Sequence, residues 1–314
     1  MPNPGRQLVK PPALRPGDTI GIVAPASNVK QADLEAGCAA LHQAGYKTFH
    51  LDSILERDLY FAGTAGRRKR ELEEMFDRDD VRAILCARGG YGANYLLQEL
   101  DWKKIANHPK IFVGYSDITC LLTQFVDSGL VAFQGPMAAK DWAHADGVNL
   151  ESWIAALTQT APWDVRINNG VVALAEGEAE GRLYGGCLSI LVASLGTAYE
   201  IKTDDTILFL EDIGAKPYQI DRMLMQLKLA GKLENVRGLI FGEMIDCIQA
   251  ANQDYTLQEV IMRIVGELNI PVAYGLKSGH VTSNNITLPL GVKAKLQVEK
   301  EQVGIKILES AVTV

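Results

Sequence analysis

The chain has 314 residues, 47% of them apolar and 22% charged, and its 38 acidic residues against 31 lysines and arginines leave a formal charge of −7. That length holds two ordinary domains with a core in each, and the composition rules out a disordered chain, a collagen or a long coiled coil. With no concentrated block of Lys and Arg there is no footprint for nucleic acid or an anionic membrane, so a small molecule or peptide is the expected partner.

Cys38, Cys86, Cys120, Cys187 and Cys247 are scattered, with no C-x-x-C pair and no zinc-finger spacing, and read as reduced thiols. The proline-rich stretch from Met1 to Pro16 has no apolar signal-peptide core, and no apolar run is long enough to span a bilayer. The expected compartment is the cytoplasm.

In chain order, Thr19–Ala24 reads as a first strand and Gln31–Ala44 as a helix stopped by Gly45. Tyr46–Leu51 returns as a strand, Thr64–Phe76 as a charged helix with Leu72, Met75 and Phe76 inward, and Val81–Ala87 as a strand that runs into Arg88-Gly89-Gly90-Tyr91-Gly92. Lys110–Gly114 is a further strand, Asp117–Ser128 a helix and Leu130–Gln134 a strand. This βα alternation predicts a parallel sheet with helices on both faces. It lapses over residues 141–180, which contain Trp153, Trp163 and a turn at Asn168-Asn169-Gly170, and that stretch reads as a connecting segment.

The expected organisation is therefore a first α/β domain over residues 1–140, the connector, and a smaller α/β domain over 181–314. In the second domain a helix begins near Leu188, followed by strand Thr206–Leu210, helix Tyr218–Ala230, strand Gly238–Phe241, helix Leu257–Leu268 and strand Val272–Leu276. Its finish is β-rich, with strands at Ile286–Leu290, Lys293–Glu299 and Gln302–Leu308.

Ligands of open α/β sheets bind beyond the carboxyl ends of the strands, and three such ends carry reactive residue types. Gly114-Tyr115-Ser116-Asp117 is a strand-to-helix turn that can lift a serine above the sheet, or can simply cap the next helix. Glu211-Asp212 follows an apolar strand, where a carboxylate is held rigidly, and Ser278-Gly279-His280 places an imidazole in a glycine-flanked loop. A serine hydroxyl needs an imidazole to take its proton and a carboxylate to orient that imidazole. Ser116, Glu211 and His280 supply this set, with the serine and its partners in different domains and a site expected in the cleft between them. The backbone N–H groups of the Gly89-Gly90 turn and of Asp117 are candidate oxyanion donors.

These residues in this order resemble the LD-carboxypeptidase family of serine peptidases, which includes muramoyltetrapeptide carboxypeptidases and microcin-immunity enzymes. The resemblance is carried by Leu14-Arg15-Pro16-Gly17-Asp18, Gly21 to Ser27, Ala87 to Gly92, Val113 to Asp117, Gly185-Gly186, Leu210-Glu211-Asp212, Pro217 to Leu224 and Gly279-His280. It implies a Ser116, Glu211 and His280 triad, oxyanion donors at Gly90 and Asp117, and a flavodoxin-like N-terminal domain beside a smaller C-terminal α/β domain. It further implies a homodimer, no metal or cofactor, and hydrolysis of the bond between the L-diamino acid and terminal D-alanine of murein tetrapeptides in cytoplasmic cell-wall recycling. Cys187 stands where the family pattern has asparagine, and Ala215-Lys216 where an acidic residue is common.

A carboxypeptidase must also read a terminal carboxylate, for which Arg88 is the nearest cation in sequence, with a structural ion pair as its other reading. Arg222 reads as an ion pair with Asp221, and Cys120 as core. Two alternatives stand beside the peptidase. One is an immunity-type hydrolase of aminoacyl-nucleotide toxins, whose mark would be an aromatic platform for the base; Trp153 and Trp163 lie in the right region, although tryptophan in a connecting segment usually packs. The other is a non-catalytic two-domain ligand-binding protein in which Ser116 only caps a helix. Neither G-x-G-x-x-G after the first strand nor a P-loop occurs, which disfavours nucleotide binding by those routes.

Overall fold

A computed structural model of the chain describes residues 8–167, 170–248 and 254–314, so Asn168 and Asn169 of the expected turn lie outside the described residues. The chain forms two units: one of residues up to Ala161 with Ser283–Gly291 and Ser310–Val314, the other of Pro162–Thr282 with Val292–Glu309.

In the first unit the expected alternation runs through β1 (Thr19–Val23), α1 (Gln31–Gln43), β2 (Lys47–Phe49), α2 (Ala65–Asp77), β3 (Val81–Cys86), α3 (Trp102–Asn107), β4 (Ile111–Gly114), α4 (Thr119–Asp127) and β5 (Ala132–Gln134). The five strands pair in parallel in the order β5-β4-β3-β1-β2, the flavodoxin-like arrangement. A parallel sheet covered on both faces needs nearly unbroken apolar strands, and Ile20, Ile22, Ile84, Leu85, Phe112 and Val113 are all buried. The Thr64 hydroxyl accepts from the Arg67 N–H and starts α2, whose Leu72, Met75 and Phe76 turn inward as the periodicity requires. Helix α5 (Leu150–Thr158) lies within the expected connector but packs into this unit.

The second unit opens with β6 (Trp163–Val165), β7 (Val172–Ala175) and β8 (Gly177–Cys187), followed by α6 (Leu188–Ala193), β9 (Thr206–Glu211), α7 (Pro217–Leu229), β10 (Gly238–Gly242), α8 (Leu257–Val265) and β11 (Val272–Leu276). The chain then re-enters the first unit as β12 (Leu288–Leu290), antiparallel to β5 at the edge of the first sheet. The expected strand at Ile286–Leu290 therefore belongs to the first sheet, because Leu288 and Leu290 complete the apolar edge beside Ala132 and Phe133. Strands β13 (Lys293–Glu299) and β14 (Gln302–Ile307) return to the second unit. Its sheet runs β6-β14-β13-β8-β9-β10-β11-β7, with a parallel centre of β8, β9, β10 and β11 and antiparallel flanks. Among the described residues no helix is long and apolar enough to cross a membrane.

Candidate active site

In the first unit, β4 delivers the chain into Tyr115-Ser116-Asp117. Ser116 sits at φ 63°, the left-handed region that a residue with a side chain enters at a cost of about 1–3 kcal/mol. The strained turn leaves Ser116 half-exposed between buried Tyr115 and Asp117. The helix-cap alternative fails locally: a short 3₁₀ turn, Ser116–Ile118, intervenes, and the residue preceding α4 is Ile118, which makes no side-chain cap bond.

The glycine turn after β3 lies against this serine. A Cβ on Gly89 would stand 2.8 Å from Ser116 Cβ and 2.9 Å from its Oγ, so only glycine lets the two backbones approach. Gly90 has φ 109° and fits beneath the Ser27 hydroxyl, which accepts from the Tyr91 N–H at 3.0 Å. Arg68 and Asp117, both buried, pin the far side of the turn. Arg68 Nη1 donates to the carbonyls of Pro25 and Gly92, each at 2.7 Å, and Asp117 Oδ2 accepts from the Ala93 N–H at 2.8 Å. Burial pushes the Asp117 carboxyl up to about 6, against the opposing pull of the Ala93 N–H and the Arg68 charge. Arg88 donates to the Asn28 carbonyl at 3.3 Å and forms no ion pair among the described residues.

In the second unit the glutamate and histidine meet. Glu211, at the carboxyl end of β9 and wholly buried, accepts through Oε2 from the His280 backbone N–H at 3.0 Å and stands 2.7 Å from His280 Nδ1. With the Nδ1 proton donated to this carboxylate, Nε2 is the nitrogen that can accept a proton. Gly242 on β10 makes room for the acid, since a Cβ there would lie 2.6 Å from Glu211 Cβ. The loop carrying His280 is clamped by Glu243, which accepts from the Thr282 N–H at 2.9 Å and lies 3.9 Å from Lys277 Nζ.

The sequence reading missed three supports: Arg68, Glu243 and Asp141. Buried Asp141 ties Tyr115, the residue before Ser116, to the returning segment, accepting from Tyr115 Oη at 3.3 Å and Asn285 Nδ2 at 3.2 Å. Nothing local in the sequence marks a contact across 144 residues. Trp153 and Trp163 are buried as packing residues, Trp153 in edge-to-face contact with Trp142, so neither offers the platform for a base that the immunity-type alternative would use. One expectation is corrected. Arg222 stacks over the Tyr218 ring at 5.5 Å, one helical turn away, in place of the expected pairing with Asp221. Cys120 is buried, as expected.

Comparison with known proteins bears on what these two constellations do. A family model for the LD-carboxypeptidase N-terminal domain matches residues 20–135, and one for the LD-carboxypeptidase C-terminal domain matches residues 180–296. The chain belongs to the LD-carboxypeptidase family. Within that family it is 37% identical over 296 residues to the probable murein peptide carboxypeptidase of Bacillus subtilis (strain 168), covering 93% of this chain and 92% of that one. It is 32% identical to the microcin C7 self-immunity protein MccF of Escherichia coli, over 92% of this chain and 93% of that one. The crystal structure of a muramoyltetrapeptide carboxypeptidase from Oxalobacter formigenes matches with a TM-score of 0.83 at 31% identity, over 94% of this chain and 100% of that chain. The α/β fold of this LD-carboxypeptidase, with its parallel-sheet domain and second sheet domain, is thus the fold of its relatives.

Proposed function

We propose that the chain is a serine L,D-carboxypeptidase that removes the terminal D-alanine of murein tetrapeptides, working as a cytoplasmic homodimer in cell-wall recycling. The observation that carries this reading is the left-handed backbone of Ser116, pressed against Gly89 at the end of a parallel strand. The Glu211 and His280 pair supplies the base that such a serine needs, and the murein peptide carboxypeptidases among the relatives supply the substrate class.

On this reading Ser116 Oγ attacks the carbonyl carbon of the L-diamino acid while its proton passes to His280 Nε2. The carbonyl π electrons move to oxygen, where the N–H groups of Gly90 and Asp117 receive the charge. When the tetrahedral intermediate collapses, the C–N bond breaks and His280 returns the proton to the departing D-alanine amine. Water then attacks the ester, giving its proton to His280, and the Ser116 oxygen leaves with that proton. Glu211 holds the imidazole tautomer and offsets its charge in both halves. Arg88, whose only partner in the described residues is a neutral carbonyl at 3.3 Å, is the cation proposed to read the D-alanine carboxylate. The microcin-immunity alternative keeps the MccF likeness but loses the tryptophan platform it called for, both rings being buried.

The test is release of D-alanine from a murein tetrapeptide by the wild type and by Ser116→Ala, with a metal chelator throughout. Turnover is expected from the wild type and a loss of at least about 10³-fold from the variant. An active wild type matched by Ser116→Ala would remove the serine from the mechanism. An inactive wild type that cleaves aminoacyl-nucleotide analogues would move the substrate to the alternative.

A further inference from the structure

We propose that Cys187, Glu211 and His280 form a binding site for a thiophilic divalent cation, Zn2+ or Cd2+. Cys187 and Glu211 are register partners on the parallel strands β8 and β9, so their side chains leave the carboxyl edge of the sheet side by side. One donor atom from each of Cys187, Glu211 and His280 lies within 4.8 Å of the other two. Metal bonds of roughly 2.0–2.3 Å set tetrahedral donors about 3.3–3.8 Å apart, so side-chain motions on the order of 1 Å close the set around an ion and leave a fourth position for water.

A second observation points to the same place. Glu211 Oε1 is wholly buried and has no hydrogen-bond partner among the described residues, while Oε2 takes both bonds from His280. An unmatched buried carboxylate oxygen is costly, and a cation satisfies it. A thiolate, a carboxylate and an imidazole suit Zn2+ and Cd2+, whereas Mg2+ and Ca2+ prefer oxygen donors alone. On binding, the S–H bond breaks, its proton goes to solvent and a sulfur–metal bond forms, while His280 coordinates as the neutral imidazole. Affinity therefore rises with pH. An ion here engages the acid and the base of the proposed triad and so inhibits hydrolysis. That consequence rests on the proposed function, whereas the site itself does not.

The experiment is titration of the intact, metal-stripped protein with Cd2+ in the absence of substrate, following the ultraviolet charge-transfer absorbance of the cadmium–thiolate bond and the heat of binding. Wild type, Cys187→Ser, His280→Gln and Glu211→Gln are compared, with circular dichroism as the check on folding. One equivalent is expected to bind the wild type with a thiolate band. The band should vanish in Cys187→Ser, and affinity should fall by roughly tenfold or more in each of the other variants. Unchanged binding in Cys187→Ser would place the ion at another thiol, and unchanged affinity in both His280→Gln and Glu211→Gln would mean a cysteine acting alone. Either result overturns the proposal, as does a wild type without the band. If Cys187→Ser does not fold, His280→Gln, which keeps the thiol, decides. Because no substrate is present, failure of the carboxypeptidase reading would leave this outcome untouched.

Discussion

Ser116 spends backbone energy to stand where it does. Its left-handed φ of 63° costs about 1–3 kcal/mol, more than the ~0.5–1 kcal/mol of extra chain entropy that glycine would lose on folding. Ser116→Gly should therefore raise the unfolding free energy by ~1 kcal/mol, and on the proposed mechanism abolish turnover, whereas Ser116→Ala keeps the strain and gains nothing. Denaturant unfolding of the three proteins checks this, and a Ser116→Gly protein no more stable than Ser116→Ala would mean the turn is relaxed. Ser116, Glu211 and His280 stand out as candidates in the sequence because the chemistry proposed for them restricts the residue types to a few, and all three lie at strand ends. Asp141 was not readable: its partners Tyr115 and Asn285 meet it only through the fold.

The glycine turn at residues 89–92 is a rigid element because two buried charges hold it. Arg68 grips the Gly92 carbonyl and Asp117 the Ala93 N–H, so the turn and the segment carrying Ser116 share a support. Burial raises the Asp117 carboxyl from 3.8 to about 6, so between those pH values the folded chain keeps a proton that the unfolded chain has lost. Its stabilising share is complete below pH 3.8 and disappears as pH rises through about 6, a fall of up to ~3 kcal/mol. The difference in unfolding free energy between wild type and Asp117→Asn should therefore move against the wild type from pH 4 to pH 6.5, and a difference constant over that range would refute the shift. Strands were easier to foresee than such supports. The runs of β1, β3, β4 and β9 are mostly apolar, with Arg82 exposed on β3 and Thr206 and Glu211 at the ends of β9, as a doubly covered sheet allows. The sequence puts the start of α4 two residues early, at Asp117, because the 3₁₀ turn that carries Ser116 has no composition of its own.

Across the whole molecule the chain passes four times between the two units, so neither is a continuous segment. The sequence suggested contiguous domains because βα periodicity reports local pairing. A three-residue edge strand such as β12 finds its sheet through pairing with β5, setting Pro289 beside Phe133 and Leu290 beside Ala132, some 154 to 158 positions apart in the chain with Leu288 in register with Gln134. The last five residues show what this costs to disturb. Ala311 and Val312 are 1% exposed, and Thr313 is locked between Ala13, whose N–H donates to its carbonyl at 2.8 Å, and Pro11, whose carbonyl accepts from its N–H at 2.9 Å. Burying a valine side chain contributes about 1.5–3 kcal/mol and each backbone bond about 0.5–1.5 kcal/mol. A chain ending at Glu309 should thus lose roughly 2–4 kcal/mol from the first unit, after the entropy of the released residues is returned. Denaturant unfolding followed through Trp102, Trp142 and Trp153 of that unit reads the loss, and Val312→Ala should reproduce part of it without shortening the chain. An unaltered midpoint in both would mean that the first sheet and its helices stand without this return, and that the closing segment contributes no stability to the unit that carries Ser116.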